Sequence, residues 1–129
     1  RQLMGTFRVI IAGTRTFNDY ELLKAYCDKK LSRMCIDHKI VIVSGHARGA
    51  DMLGERYAQE SGYEARLYPA YWDIYGKSAG IRRNVKMAEN ADALIAFWDE
   101  KSTGTKHMIA EAKRRGLMVA VKLYGKGSE

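Results

Sequence analysis

Four short apolar runs punctuate the chain: Phe7–Ala12, Lys39–Val43, Ala93–Trp98 and Leu117–Val121. Each is rich in β-branched or aromatic residues and stops near a glycine or a polar cluster. Near-continuous apolar runs of this length predict strands covered on both faces of a parallel sheet. A fifth, weaker run, Glu64–Tyr68, alternates polar and apolar residues and predicts an edge strand. The last run continues into Lys122, which suits the opposite edge.

Helical periodicity fills the gaps. Asn18 is placed to cap a first helix, with Glu21 three residues on in a capping-box position. Leu22, Leu23, Tyr26, Cys27, Leu31, Met34 and Cys35 then recur at helical spacing. A second helix is expected from about Ala47 to Glu60, with Ala50, Leu53, Tyr57 and Ala58 inward and Gly62 as its stop. A third spans about Ile81–Glu89, with Ile81, Val85 and Ala88 in register. A fourth spans about Thr105–Arg115, with Met108, Ile109 and Ala112 inward. Its terminal Lys113, Arg114 and Arg115 match the helix dipole, and Gly116 follows. The order β-α-β-α-β-α-β-α-β predicts a single Rossmann-like, doubly wound α/β domain. Its five-stranded parallel sheet has helices on both faces. The third and fifth strands are the weakest, which gives the order 3-2-1-4-5. Ligands in such sheets bind outside the carboxyl ends of the strands.

The unusual motifs fall at those ends. Gly13-Thr14-Arg15-Thr16 follows strand one, Ser44-Gly45-His46-Ala47-Arg48-Gly49-Ala50-Asp51 follows strand two, and Ser102-Thr103-Gly104-Thr105 follows strand four. Glycine lets backbone approach a ligand closely, and the next helix opens with unpaired N–H groups that suit phosphate or carboxylate. Three such loops at one sheet edge predict an anion pocket. The chain lacks GxxxxGKS/T and GxGxxG, which argues against a P-loop or standard dinucleotide site. No GxSxG elbow surrounds Ser44. His38, His46 and His107 lack metal-ligand spacing, so no metal and no cofactor are implied. His46, at a helix start, either polarises a ligand or sits in solvent.

Composition narrows the class. At 129 residues and 47% hydrophobic, the chain suits one domain with a real core, expected over residues 7–124. Residues 1–6 read as an N-terminal extension, with Met4 a candidate start, and 125–129 as a flexible tail. No signal peptide or membrane-spanning run is visible, and the expected location is cytoplasmic. Cys27 and Cys35 are too few for a disulfide framework and are expected to be reduced and mostly buried. The net charge is +7, and it is uneven. Residues 1–64 carry 10 basic and 8 acidic side chains, and residues 65–129 carry 12 and 7. A basic balance favours anionic partners, nucleotides or nucleic acid.

The stretch from Tyr68 to Lys86 combines Tyr68, Tyr71, Trp72 and Tyr75 with Lys77, Arg82, Arg83 and Lys86. No acid lies between Lys77 and Lys86. Aromatics beside cations suit base stacking with phosphate contact, which makes Trp72, Lys77, Arg82, Arg83 and Lys86 candidates for binding single-stranded nucleic acid. The same composition also suits a tyrosine-rich lid or a dimer interface. If the chain self-associates, an isologous dimer is the expected arrangement.

The blocks VIIAGTR, IVSGHARGAD, AYWDIYGKSAGIRRN, MAENADALIAFWD and STGTKHMIAEAKRRGLMVAV resemble the SLOG superfamily, and within it the YspA/YpsA-related family. The resemblance covers about residues 7–124, with the blocks in the same order. The superfamily also includes the DNA-processing DprA/Smf proteins and the LOG phosphoribohydrolases. It implies a Rossmann-like domain that binds nucleotides or nucleotide-derived ligands. The ligand-binding positions implied are Gly13, Thr14 and Arg15; Ser44, Gly45, Arg48, Gly49 and Asp51; Arg83 and Asn84; and Ser102, Gly104 and Thr105, to which its place at a helix start adds His46 as a candidate. DprA-like proteins resemble the chain at SGxARGxD and RRN, and they bind single-stranded DNA. LOG enzymes resemble GGxGTxxE, with a glutamate three residues after threonine. Here Met108 stands in that place, and Glu111 lies six residues beyond Thr105. Breaking an N-glycosidic bond passes through a cation-like sugar that a carboxylate stabilises.

Three functions follow from the sequence. The first is binding of a nucleotide, NAD, ADP-ribose or nucleoside-monophosphate type of ligand, as sensor or carrier. The second is nucleoside 5′-monophosphate phosphoribohydrolase activity, with Asp51, Glu55 and Glu111 as candidate catalytic carboxylates. The third is DprA-like single-strand binding.

Overall fold

The computed structural model describes residues 3–125. In chain order the strands are β1 (Thr6–Gly13), β2 (Lys39–Ser44), β3 (Glu64–Leu67), β4 (Ala93–Trp98) and β5 (Met118–Leu123). The helices are α1 (Tyr20–Leu31), α2 (Met34–Asp37), α3 (Ala50–Ser61), α4 (Trp72–Tyr75), α5 (Ala79–Glu89) and α6 (Thr103–Arg114), with a short 3-10 turn at Gly76–Ser78. All strand pairs are parallel, and the sheet order is β3-β2-β1-β4-β5. The predicted architecture and strand order hold. Of the predicted tail, residues 126–129 lie outside the described residues, as do residues 1–2 of the extension. The backbone of Met4 and Gly5 bonds to Asp37 and Lys39 beside the start of β2.

The period of two along each strand divides the core. Phe7, Val9 and Ile11 of β1 join Ile40, Ile42, Ala93, Ile95 and Phe97 under α1 and α3, which contribute Leu23, Cys27, Tyr57 and Ala58. The alternate residues Ile10, Ala12, Val43, Leu94 and Ala96 face Met87 and Ala88 of α5 and Met108, Ile109 and Ala112 of α6. Central strands clad on both sides explain the near-continuous apolar runs.

Four details differ from expectation. The α1 cap is Asp19, whose side chain accepts from the Leu22 amide, and not Asn18. α1 ends at Leu31 rather than running through Cys35; the Ser32 hydroxyl turns back to the Lys29 carbonyl, and α2 starts afresh at Met34. Cys35 is therefore exposed, while Cys27 is buried and its thiol is pushed up to about 12 by burial, which makes it inert. α3 starts at Ala50, later than predicted, because Gly49 holds a left-handed φ of 77°. Ile81 is 52% exposed, since α5 starts two residues early and buries Ala79, Met87 and Ala88 instead.

Candidate functional site

The carboxyl ends of β1, β2 and β4 are joined through one residue. Thr14 donates its amide to the Phe97 carbonyl (3.0 Å), and its own carbonyl accepts from the amides of Phe17 (3.1 Å) and Ala50 (3.3 Å). Its hydroxyl accepts from the Asp99 amide at 3.2 Å. The loops after β1, β2 and β4 thus share one buried knot. Two glycines permit the approach. A side chain at Gly13 would strike the Phe97 carbonyl and lie 2.8 Å from Ala50 Cβ. One at Gly49 would strike the backbone of Thr14 and Arg15. The β4 loop is set locally. Asp99 accepts from the amides of Lys101 (2.8 Å) and Ser102 (2.9 Å), and Ser102 caps α6 by accepting from the Thr105 amide.

Beside this knot opens a cavity of about 780 Å³. Gly13, Thr14 and Arg15 line one wall, Ala47 and Asp51 the floor, and Ser102, Thr103, Gly104 and Thr105 the far side. Trp72, Lys77, Ile81, Arg83 and Asn84 close it from the α4–α5 segment. Arg15 reaches across toward that segment, its guanidinium 5.9 Å from the Trp72 ring.

Two opposite charges meet at the floor without forming an ion pair. Asp51 is 5% exposed, and burial pushes its carboxyl up to about 6, against the opposing pull of Arg83 and the hydrogen bond from the Ala47 amide. Burial likewise lowers Arg83, which Asp51 in part offsets. Gly45 separates them: a Cβ there would lie 2.6 Å from Arg83 Nη1 and 2.8 Å from Asp51 Oδ2. Arg83 is pinned by two bonds, Nη1 to the Gly45 carbonyl (2.6 Å) and Nε to Asn84 Oδ1 (3.1 Å). Asn84 in turn donates to the Gly104 carbonyl at 3.3 Å and meets His107 Nδ1 at 3.1 Å. The Arg-Asn pair therefore braces the β2 loop against the start of α6.

Of the predicted ligand-binding residues, Gly13, Thr14, Arg15, Asp51, Arg83, Asn84, Ser102, Gly104 and Thr105 line one cavity. Ser44, Gly45, His46, Arg48 and Gly49 do not; Gly45 and Gly49 act behind it as spacers, and Arg48 points to solvent. His46, at a φ of 60°, is paired through Nδ1 with Glu55 Oε2 at 2.8 Å, and the Ser44 hydroxyl donates to the same oxygen at 2.7 Å. Glu55 is thus held behind the cavity wall and is not part of its lining. Glu111 lies elsewhere again. Arg115 and Arg114 grip it, each with a 2.6 Å contact, and hold its carboxyl below the usual range. Of the three candidate catalytic carboxylates, Asp51 alone lines the cavity. The nucleic-acid candidates divide as well. Trp72, Lys77 and Arg83 line this cavity, while Arg82, Arg83 and Lys86 line a neighbouring hollow.

Sequence reasoning passed over Asp99, Lys101 and His107, which also line the cavity. An acid directly after a strand and three residues before the serine cap is the Asx-turn signal that would have found Asp99. Lys101 and His107 carry no such signal. Among the described residues no helix is long and apolar enough to cross a membrane.

The family model described as YspA, cpYpsA-related SLOG matches residues 7–75, from β1 to the end of α4. The Gene 61 protein of Mycobacterium phage D29 is 35% identical over 118 residues, which cover 87% of this chain and 93% of that protein. No solved structure matches the chain. The family match spans more than half of the chain, and the chain belongs to the YspA, cpYpsA-related SLOG family.

Proposed function

We propose that the chain binds a nucleotide or nucleotide-derived ligand of the nucleoside-monophosphate, NAD or ADP-ribose type in the 780 Å³ cavity, as a sensor or carrier. One observation carries this reading. Arg15, Lys77, Arg83 and Lys101 line the cavity, and none of them forms an ion pair among the described residues. Of the two acids there, Asp99 already accepts from the backbone amides of Lys101 and Ser102, so the cationic surplus faces an incoming anion. The opening amides of α6, at Thr103 and Gly104, add donors on the far side. Asp51, deep on the floor, suits a ribose hydroxyl as hydrogen-bond acceptor.

Binding is favoured over phosphoribohydrolase activity because Glu55 and Glu111 are engaged away from the cavity. Of the two acids that do line it, Asp99 is committed to the amides of Lys101 and Ser102, which leaves Asp51 as the one carboxylate to stabilise a cation-like sugar. A thermal-shift panel of AMP, other nucleoside monophosphates, NAD and ADP-ribose tests the proposal at low and moderate salt. Ligand at 100 times its dissociation constant adds about 2.7 kcal/mol, a shift of several degrees for a domain of this size. A selective shift that persists at moderate salt supports the proposal, and no shift with any member rejects it. Chromatography of the same mixtures for free base decides the hydrolase alternative.

A further inference from the structure

A second hollow of about 360 Å³ lies on the other side of the first turns of α5. Tyr68, Tyr71 and Tyr75 supply its aromatic lining, Arg82, Arg83 and Lys86 its charge, and no carboxylate lines it. Arg83 belongs to both hollows and so forms part of the wall between them. Its Nη1 and Nε are tied to Gly45 and Asn84, which fixes the plane of the guanidinium; Nη2 has no hydrogen-bond partner among the described residues.

Resting on the nucleotide reading of the main cavity, we propose that the second hollow seats a neighbouring nucleoside of the same ligand. The linking phosphate lies at Arg83, so the ligand is a linear, phosphate-linked dinucleotide. The lining chemistry supports this. Aromatic rings offer stacking faces that accept any base, and cations free of acids suit a bridging phosphate. The rings differ in availability. Arg82, held by the Ser78 hydroxyl at 3.0 Å, already covers the Tyr75 ring at 4.5 Å. Tyr71, 57% exposed, has no aromatic or cation–π partner among the described residues. A volume near the lower end of small-ligand pockets fits one nucleoside unit rather than a whole second ligand. A second copy of the chain fits poorly, because a two-fold contact here would set Arg82 and Lys86 against their own counterparts.

Titration calorimetry of the full chain with AMP, the 5′-phosphorylated dinucleotide pApA, NAD and an eight-residue oligoadenylate tests this. The wild type is expected to bind pApA at least tenfold more tightly than AMP, with no further gain per site for the longer strand. Tyr71→Ala and Lys86→Gln, both at exposed positions, are expected to remove that gain and leave AMP affinity unchanged. AMP binding with no gain for pApA overturns the second subsite alone. Tighter binding of NAD than of pApA overturns the phosphodiester assignment. Affinity that keeps climbing to the octamer overturns the two-unit ligand in favour of a single strand. Binding of neither AMP nor any longer probe overturns the nucleotide reading itself, and this proposal with it.

Discussion

At the scale of the residue, Asp51 carries the clearest electrostatic signature. Folded, its carboxyl holds a proton to about pH 6; unfolded, it releases it near the ordinary 3.8. Between those values the folded state binds more protons, so stability falls as pH rises through the window. At 1.36 kcal/mol per unit, the penalty at neutral pH is about 2–3 kcal/mol. Asp51→Asn removes the charge and keeps an acceptor for the Ala47 amide. Its unfolding free energy relative to wild type is expected to improve by about 2–3 kcal/mol between pH 4 and pH 7. Denaturant unfolding at both pH values checks this, and a difference independent of pH would mean that burial does not perturb Asp51. Gly49 makes a steric counterpart. Alanine there combines a left-handed φ with a clash against the Thr14 and Arg15 backbone, so Gly49→Ala is expected to cost about 2 kcal/mol or more. A loss under about 0.5 kcal/mol would mean that the β1 and β2 loops separate easily. The sequence points to Asp51 and Arg83 because they follow strand ends or match a family pair. It misplaces Glu111 because six residues of helix carry a side chain about 9 Å from Thr105 along the axis. There Arg114 of the same helix and Arg115, its C-terminal cap, reach it first.

At the scale of the element, strand identity was readable because burial on two faces leaves a run with few polar interruptions. The edges were readable for the opposite reason: β3 pairs only with β2, and all four of its residues are exposed. The α1 terminus was not, because Met34 still packs on the core after the chain has broken and restarted, so apolar periodicity runs across the break. Helix-to-sheet distance was equally hidden. Gly54 of α3 lies over Ile11 of β1, and a Cβ there would come within 2.7 Å of Ile11 Cγ2 and 2.8 Å of Ile11 Cβ. Ile11 is branched, fully buried and held by strand pairing, so it cannot rotate aside. Gly54→Ala gains about 1 kcal/mol of helix propensity and incurs about 1–3 kcal/mol of overpacking. The expected result is a net loss of up to about 2 kcal/mol in unfolding free energy. A stabilised variant would mean that α3 rides higher on the sheet than the packing implies. Because α3 carries Asp51, the same variant is expected to weaken nucleotide binding more than its stability loss alone explains.

For the whole molecule, the excess of positive charge has a geometry that salt can separate. Arg15, Lys77 and Lys101 are exposed around the cavity, whereas Arg83 is half-buried behind them. Screening acts on the first group: the Debye length falls from about 10 Å at 0.1 M salt to about 3 Å at 1 M. It acts far less on a guanidinium that donates a directed hydrogen bond from a partly desolvated position. A Lys77→Gln/Lys101→Gln variant is therefore expected to lose about five- to tenfold in AMP affinity at low salt, two exposed charges being worth up to about 1 kcal/mol each. Its affinity is expected to converge on that of the wild type as salt rises. Arg83→Lys keeps the charge and loses the fork; a charged hydrogen bond worth about 1.5–3 kcal/mol predicts a deficit of roughly ten- to a hundredfold that persists at every salt concentration. Calorimetry of both variants from 50 mM to 1 M salt reads the two patterns, with melting temperature as the control for the lost Gly45 and Asn84 contacts. If both deficits vanish together at high salt, the chain attracts anions by its overall field and Arg83 has no directed role. If the Arg83→Lys deficit alone survives, recognition lies in the fork that the β2 loop and Asn84 hold in place.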